Sequence, residues 1–469
     1  MTTEIKKIDS CEIQKRRVKS YLDTEVKEFA QYVIRSRAMP SIMDGLRLGA
    51  RKILWAAITG DMKKVHKVKM QSLIGDTMKQ HYNHGDASLL NTIVQLASTH
   101  VYKYSPLEVV GQIGSLRIPK CETAPRYLHI KKSKYLDFFK ADFDLIERLF
   151  EDGDLVEPKY FLPIIPILLL WRTNSPGYGF SYRCFSYGLN EIIDNCIKAI
   201  VNGSCNSDTD LIQLKPCIEG VKPENIIFNS NKNCWYNVGE YIVDTDNDVL
   251  VITDLPFDIN FEKFDEHLQT LIERNYIIKF TDFSQEDSIR YNIKFANGRL
   301  KTLIQDKWKF FQNMKLFSRI KKDTLNCIDQ DGKTILFFDN PYELIDCFVR
   351  KRLHFYSERK TITIGIIKED IIYWSERIKF IELVIEGKII INNIPVATIK
   401  EQLTKNNLSF DVLKMNIEKL TKDEIVNMKD EVIDLKQKLE YIENSTIQEM
   451  YIKDLIEFKQ KYLTITKHI

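Results

Sequence analysis

Six apolar residues in the last third of the chain, Ile367, Ile371, Trp374, Ile378, Ile381 and Ile385, recur at alternating intervals of four and three. That period is the seam of an α-helical coiled coil, because a slightly under-wound helix keeps such a stripe against one partner. A strand would throw alternate members of the set to opposite faces. The stretch is therefore helical, and its narrow stripe calls for a second helix. Asn340-Pro341 supplies an N-cap followed by proline at the first helical position, so the helix is expected to begin there and Gly387 to end it. The return helix is expected after Thr421-x-x-Glu424, a capping-box pattern, with Val432, Leu435, Leu439 and Ile442 on one face. Two antiparallel helices with a small insertion at 388–430 would make an arm, and roughly 40 residues at ~1.5 Å each reach about 60 Å. An ordinary helical hairpin packed on a core fits the same spacing.

The remainder of the chain has a different character. Residues 20–150 carry helical patterns at 21–36, 41–58 and 86–98, broken at Met39-Pro40, followed by short extended pieces near 108–117 and 126–130. Helices followed by short strands suit a winged-helix type of DNA binder. Beyond residue 155, runs such as Val249-Leu250-Val251-Ile252-Thr253 and Ile289-Arg290-Tyr291-Asn292-Ile293 read as strands, with a helical pattern at 260–274 between them. The expectation is an α+β multidomain chain: an N-terminal extension (1–19), a winged-helix domain (20–154), a mixed α/β domain (155–339) and an antiparallel coiled-coil arm with a small globular tip (340–469, tip about 388–430).

Charge separates the same regions. The net charge of +3 hides 25 Lys and Arg against 13 Asp and Glu in residues 1–140, and 43 against 52 in the rest. A basic first third is what contact with a phosphate backbone requires, since Lys and Arg release counterions from DNA; a solvated basic face would give the same count. The longest apolar run, Phe161 to Trp171, is interrupted by Pro163 and Pro166 and is too short to cross a membrane. The polar N-terminus does not read as a signal peptide. Nine cysteines without a C-x-x-C pair or zinc spacing point to a reducing, intracellular setting.

Ordered motifs stand on this frame: Arg37-Ala38-Met39-Pro40; Asp44-Gly45-Leu46-Arg47 with Arg51-Lys52; Tyr82-Asn83-His84-Gly85-Asp86; Gly111-Gln112-Ile113-Gly114-Ser115; Pro125-Arg126-Tyr127; Glu157-Pro158 leading into Leu162-Pro163-Ile164-Ile165-Pro166; and Thr253-Asp254-Leu255-Pro256. Together with the two-helix arm they resemble the breakage-reunion subunit of type IIA DNA topoisomerases, the gyrase A and topoisomerase IV A family. Within it the chain looks most like the medium subunit of the T-even-type phage enzymes, and the resemblance covers about residues 20–460; it implies that 20–154 is a winged-helix DNA-cleavage domain, 155–339 a mixed α/β tower domain, and the tip of the coiled-coil arm a small globular dimerisation tip.

The resemblance implies that Tyr127 is the nucleophile, forming a transient 5′-phosphotyrosyl link to each DNA strand. A phenol of pKa ~10 is mostly protonated at neutral pH and needs a nearby cation or base. Arg126 cannot be that base, but it can stabilise charge on the phosphate oxygens. His84 matches the family's active-site histidine, placed to donate to the phosphate or to take the phenolic proton; the alternative is a histidine that merely starts a helix. Asn83 departs from the family, which has His or Pro there. Arg37 matches a residue that reaches the active site from the dimer partner. Arg47, Arg51 and Lys52 match DNA-backbone contacts. Tyr178, in Asn174-Ser175-Pro176-Gly177-Tyr178-Gly179, stands where an isoleucine usually wedges between base pairs, and is expected to insert or stack instead. The positions of the family's quinolone contacts are Ala87 and Asn91, which lack the usual hydroxyl and carboxylate, so low quinolone sensitivity is expected.

Asp244, Asp246 and Asp248 have D-x-D-x-D spacing, but the Gly and Glu of a Ca²⁺ loop do not follow and the set precedes a strand, so a polar turn is expected. No metal ligands are expected in this chain. It has no G-x-x-x-x-G-K-[ST] loop, and the resemblance implies a separate partner subunit that holds both ATP and Mg²⁺. Further partners are double-stranded DNA and a second copy of the chain, with no membrane and a cytoplasmic location, that of the host if phage-encoded. Ending soon after its arm, the chain is expected to support relaxation and decatenation but not gyrase-type supercoiling. The rival readings are a non-catalytic architectural DNA-binding protein of the same fold and a nuclease that leaves free ends.

Overall fold

The computed structural model describes residues 17–82, 85–119, 123–205, 211–285, 288–391, 394–414 and 422–463. The chain divides into two compact units, the first comprising residues 1–141, 146–196 and 205–348, and the second 142–145, 197–204 and 349–469.

In the first unit, a helical stretch from Val18 to Ala38 alternates α segments (Val18–Tyr21, Lys27–Val33) with π-type segments (Leu22–Val26, Ile34–Ala38). The helices Leu48–Thr59, Met70–Met78 and Asp86–Ala97 follow. They accompany a three-stranded antiparallel sheet in which His129–Lys132 lies between Lys67–Lys69 and Leu107–Val110, with Ile130 opposite both Val68 and Val109. This is the winged-helix arrangement expected from the order of elements. Two details differ. The helix expected from residue 41 starts at Leu48, because 41–46 closes a turn in which Gly45 has φ +69° and Asp44 accepts from the Leu46 amide. A β-carbon on Gly45 would also lie 2.9 Å from the Leu168 amide nitrogen. The strand expected from residue 126 starts at His129, because Pro125–Tyr127 forms a single 3-10 turn.

The part of this unit beyond residue 155 holds antiparallel sheets. One core lies where the strands Tyr241–Asp244, Val249–Ile252, Tyr291–Lys294 and Lys279–Asp282 meet the helix Phe261–Glu273, whose Phe264, Leu268 and Leu271 are buried. A second four-stranded sheet contains the hairpin Arg172–Pro176 and Ser181–Phe185, extended by Thr324–Ile328 and Ile335–Phe338.

The long helix is real: Pro341–Ile385 spans 45 residues, and Asn340 Oδ1 accepts from the amides of Tyr342 and Glu343 at its start. Gly387, at φ +73°, ends it. In the second unit, Ile378 and Ile381 are buried against Met428 and Val432 with Ile371 and Trp374 beside them. Ion pairs Lys429–Glu382 and Lys368–Glu443 fix the antiparallel sense. Ile385, the last seam member, faces outward because the chain turns away at Gly387. The return helix starts at Lys422, so the insertion is shorter than 388–430; Thr421 lies outside the described residues. The return also comprises two helices. Lys422–Asn444 stops, and Ile447–Leu463 begins with a capping box in which Thr446 Oγ1 accepts from the Glu449 amide and Glu449 accepts from the Thr446 amide. Segment 142–145, expected in the cleavage domain, belongs to this second unit: Asp142 pairs with Arg352 and Arg359, and Asp454 accepts from Arg359 and Tyr356.

Candidate DNA-cleavage site and nucleic-acid interface

Tyr127 closes the Pro125–Tyr127 turn, its amide donating to the Ala124 carbonyl at 3.0 Å. The next residue, Leu128, is buried, and its carbonyl accepts from the Met70 amide. The backbone under the tyrosine is thus anchored while the side chain is 65% exposed, which suits a nucleophile that must meet a macromolecule. Gly111 is required beneath it: at φ +128°, a β-carbon there would come within 2.6 Å of the Leu128 side chain. Arg126 lies with its guanidinium carbon 4.9 Å from the Tyr127 ring centroid. It faces the ring as a cation–π partner.

Ten residues earlier, Arg117 is a buried staple. Its guanidinium donates to the carbonyls of Pro256 at 2.7 Å, Ile259 at 2.9 Å and Leu255, and to Asp254 Oδ1 at 2.9 Å. The Gly-Gln-Ile-Gly-Ser motif and the Thr-Asp-Leu-Pro motif, far apart in sequence, are thereby tied together, a pairing the sequence reading did not foresee.

His84 and Asn83 lie outside the described residues. Nearby His81 faces Asp154 at 3.1 Å and Asp152 at 3.8 Å. Arg37 is exposed at the end of the first helical stretch, 5.5 Å over the Tyr32 ring. Tyr178 occupies the tip of the 172–185 hairpin and is 56% exposed, with Gly177 and Phe180 closing the turn at 2.7 Å.

Two expected DNA contacts are corrected. Arg51 is 7% and Lys52 3% exposed, so neither presents its charge to solvent. Arg51 donates to both Asp44 oxygens, at 2.7 and 3.1 Å, and to the Leu46 carbonyl. Asp44 in turn accepts from the Phe161 amide. Lys52 pairs with Glu157 at 2.8 Å and donates to the Gln80 carbonyl at 2.7 Å. A buried cation held by carboxylates organises its surroundings rather than binding phosphate, so these two bind the Asp-Gly-Leu-Arg and Glu-Pro motifs into one knot.

Arg47, four residues before Arg51, is half-buried and faces a cleft of about 890 Å³. Arg172, Arg183, Lys263, Arg319 and Lys321 also line it, and Asp258 is the one carboxylate among the lining residues. This is the electrostatic footprint of a polyanion site. Arg172 stacks over Phe257 at 4.9 Å, and His100, half-buried beside it, has its pKa pushed down by burial and by the Arg172 charge. The sequence reading missed these cations. Arg172 and Arg183 could have been found, since they flank the hairpin that carries Tyr178; Lys263, Arg319 and Lys321 are brought in by the tertiary fold alone.

Asp244 accepts from the amides of Asp246 and Asn247, so the D-x-D-x-D segment is the expected polar turn. Among the described residues no group of three or more His, Cys, Asp or Glu could hold a metal, and no helix is long and apolar enough to cross a membrane.

Comparison with known proteins places these features. Residues 37–459 match the family of DNA gyrase/topoisomerase IV A-subunits. The chain is 28% identical over 418 residues to DNA topoisomerase 2 of Plasmodium falciparum, covering 87% of this chain and 29% of that protein. It is 26% identical over 538 residues to DNA topoisomerase 2 of Acanthamoeba polyphaga mimivirus, covering 96% and 41%. The chain thus spans less than half the length of these relatives. The structure superposes on the DNA-binding, cleavage and re-ligation domain of Plasmodium falciparum topoisomerase II with a TM-score of 0.80 at 24% identity, covering 96% of this chain and 66% of the other.

Proposed function

Because this chain belongs to the DNA gyrase/topoisomerase IV A-subunit family, we propose that it is the DNA breakage-reunion subunit of an ATP-dependent type II topoisomerase. The observation that carries the reading is Tyr127, exposed on an anchored turn with a cation against its ring. The Tyr127 oxygen attacks a backbone phosphorus, forming a 5′-phosphotyrosyl bond, while the P–O3′ bond breaks and the leaving 3′-oxygen takes up a proton. The phenolic proton passes to a base, the role assigned to His84. Arg126 leaves the tyrosine ring and stabilises the charge gathering on the phosphate oxygens. The phosphotyrosyl bond keeps the energy of the broken phosphodiester, so attack by the 3′-hydroxyl reseals the strand without a further energy source.

Two copies, each supplying one Tyr127, cut both strands and let a second duplex pass, giving relaxation and decatenation. Arg37 is assigned to the partner copy's site. Exposed Ile390, Val396 and Phe410 on the insertion between the arm helices support dimerisation there. The basic cleft holds the cut duplex, and Tyr178 at its hairpin tip stacks on a base step. A separate protein chain is assigned the ATP and Mg²⁺ sites.

The test is covalent trapping. The chain and its copurifying ATPase partner are mixed with Mg²⁺ and duplex DNA, then denatured. Wild type should give a protein–DNA adduct at the 5′ ends, and Tyr127→Phe none. An adduct that survives Tyr127→Phe overturns the assignment; DNA cut with free ends indicates a nuclease, and binding without any cut indicates an architectural protein.

A further inference from the structure

The helix Asp86–Ala97 presents two faces of different chemistry. Leu89, Ile93, Leu96 and Ala97 are buried. Asn91, Val94 and Gln95, at i, i+3 and i+4, face the basic cleft, with Asn91 and Gln95 exposed. The cations of that cleft stand on other elements: Arg47 just before the helix Leu48–Thr59, Arg172 on a strand, and Arg319 and Lys321 on and after another. The cleft thus has charged walls and an uncharged, amide-bearing helix.

These two sets suit different parts of a duplex. Side-chain cations contact phosphates, which fix position without reading sequence. Asn and Gln carboxamides offer one donor and one acceptor in a fixed plane, matching N7 and N6 of adenine in the major groove, and an apolar side chain fits the thymine methyl. Arginine, which pairs with guanine, is missing from the stripe. We propose that Asn91, Val94 and Gln95 form a base-reading stripe that selects A·T pairs in the bound duplex and so sets where this chain cuts. The proposal rests on the reading of the cleft as a DNA site. Its geometry is specific: four helical residues rise about 6 Å, and bases on one strand are about 3.4 Å apart. The two carboxamides therefore read positions no more than about two base steps apart.

The experiment is selection of bound duplexes from a randomised library by the full chain at ~0.15 M salt, followed by sequencing. Wild type should enrich adenine at two positions within two steps of each other, by about tenfold each. Asn91→Ala should erase one preference and Gln95→Ala the other, each weakening binding to the enriched sequence by about tenfold. Asn91→Arg should convert its position from adenine to guanine, an outcome no structural role would give. Binding without base preference, or preferences that all three variants leave intact, overturns the proposal and leaves the DNA site standing. No binding to any duplex overturns the reading of the cleft itself.

Discussion

Arg47 and Arg51 lie one helical turn apart in sequence and do opposite things. Arg51, with Lys52, is sealed among Asp44, Glu157 and backbone carbonyls. Arg47 faces a cleft whose lining holds five further Arg and Lys and one Asp. A charge count cannot tell these sets apart, yet only one has charge to spare for a polyanion. The buried set has the larger structural consequence, because a charge removed from water must be matched at short range. In the cleft set, Lys263, Arg319 and Lys321 are exposed, so they contribute little to folding and keep their field available for phosphate.

The comparison is most strongly tested from the buried side. Arg51→Ala should cost about 3–5 kcal/mol of stability, since it leaves the Asp44 carboxylate buried without its guanidinium. Denaturant unfolding measures this directly. A loss under about 1 kcal/mol would move Arg51 into the same class as Arg47.

From the cleft side the expected effects invert. Arg319→Ala and Lys321→Ala remove exposed cations, so each should change stability by less than about 0.5 kcal/mol. Each should also reduce the slope of log K against log salt for duplex binding by about 0.9 if that cation neutralises one phosphate. Unchanged slopes in both variants would take this wall of the cleft out of the DNA interface.

Legibility in the sequence followed the range of the interactions. The 4-3 seam and the Asn340 cap depend on neighbours within one or two turns, and the long helix was readable to its ends. The break at Ser445 carried an equally local signal, Thr446-x-x-Glu449, but the apolar face through Ile442 suggests continuity and masks it. The start of the 48–59 helix was obscured because nothing local shows that Gly45 must sit against Leu168. Arg51 has its carboxylate seven residues away in Asp44, so its burial was half-visible. Lys52 meets Glu157 across 105 positions, and its fate was not. Tyr127 was singled out through its motif context although its turn was read as a strand, whereas the Arg117 staple needs acceptors at 254–259 that only the fold supplies.

His100 refines the comparison with the smallest expected effect, because it lies in the cleft without adding to its charge. Burial and the nearby Arg172 cation both disfavour its protonated form and lower its pKa from 6.5. The sign follows from linkage: the neutral imidazole is preferred in the folded state, so the unfolded chain takes up this proton first as pH falls. Its contribution is fully present above pH ~6.5 and is lost as the pH falls from there towards the lowered folded value. Replacing it with an uncharged residue of similar reach, His100→Gln, removes that loss. The melting temperatures of wild type and His100→Gln should differ by a constant amount between about pH 7 and 8, and wild type should fall relative to the variant below about pH 6.5. A difference that stays flat to pH 5 would show that His100 titrates as it does in the unfolded chain. It would then add to the Arg and Lys of the cleft as a further source of positive charge at mildly acidic pH.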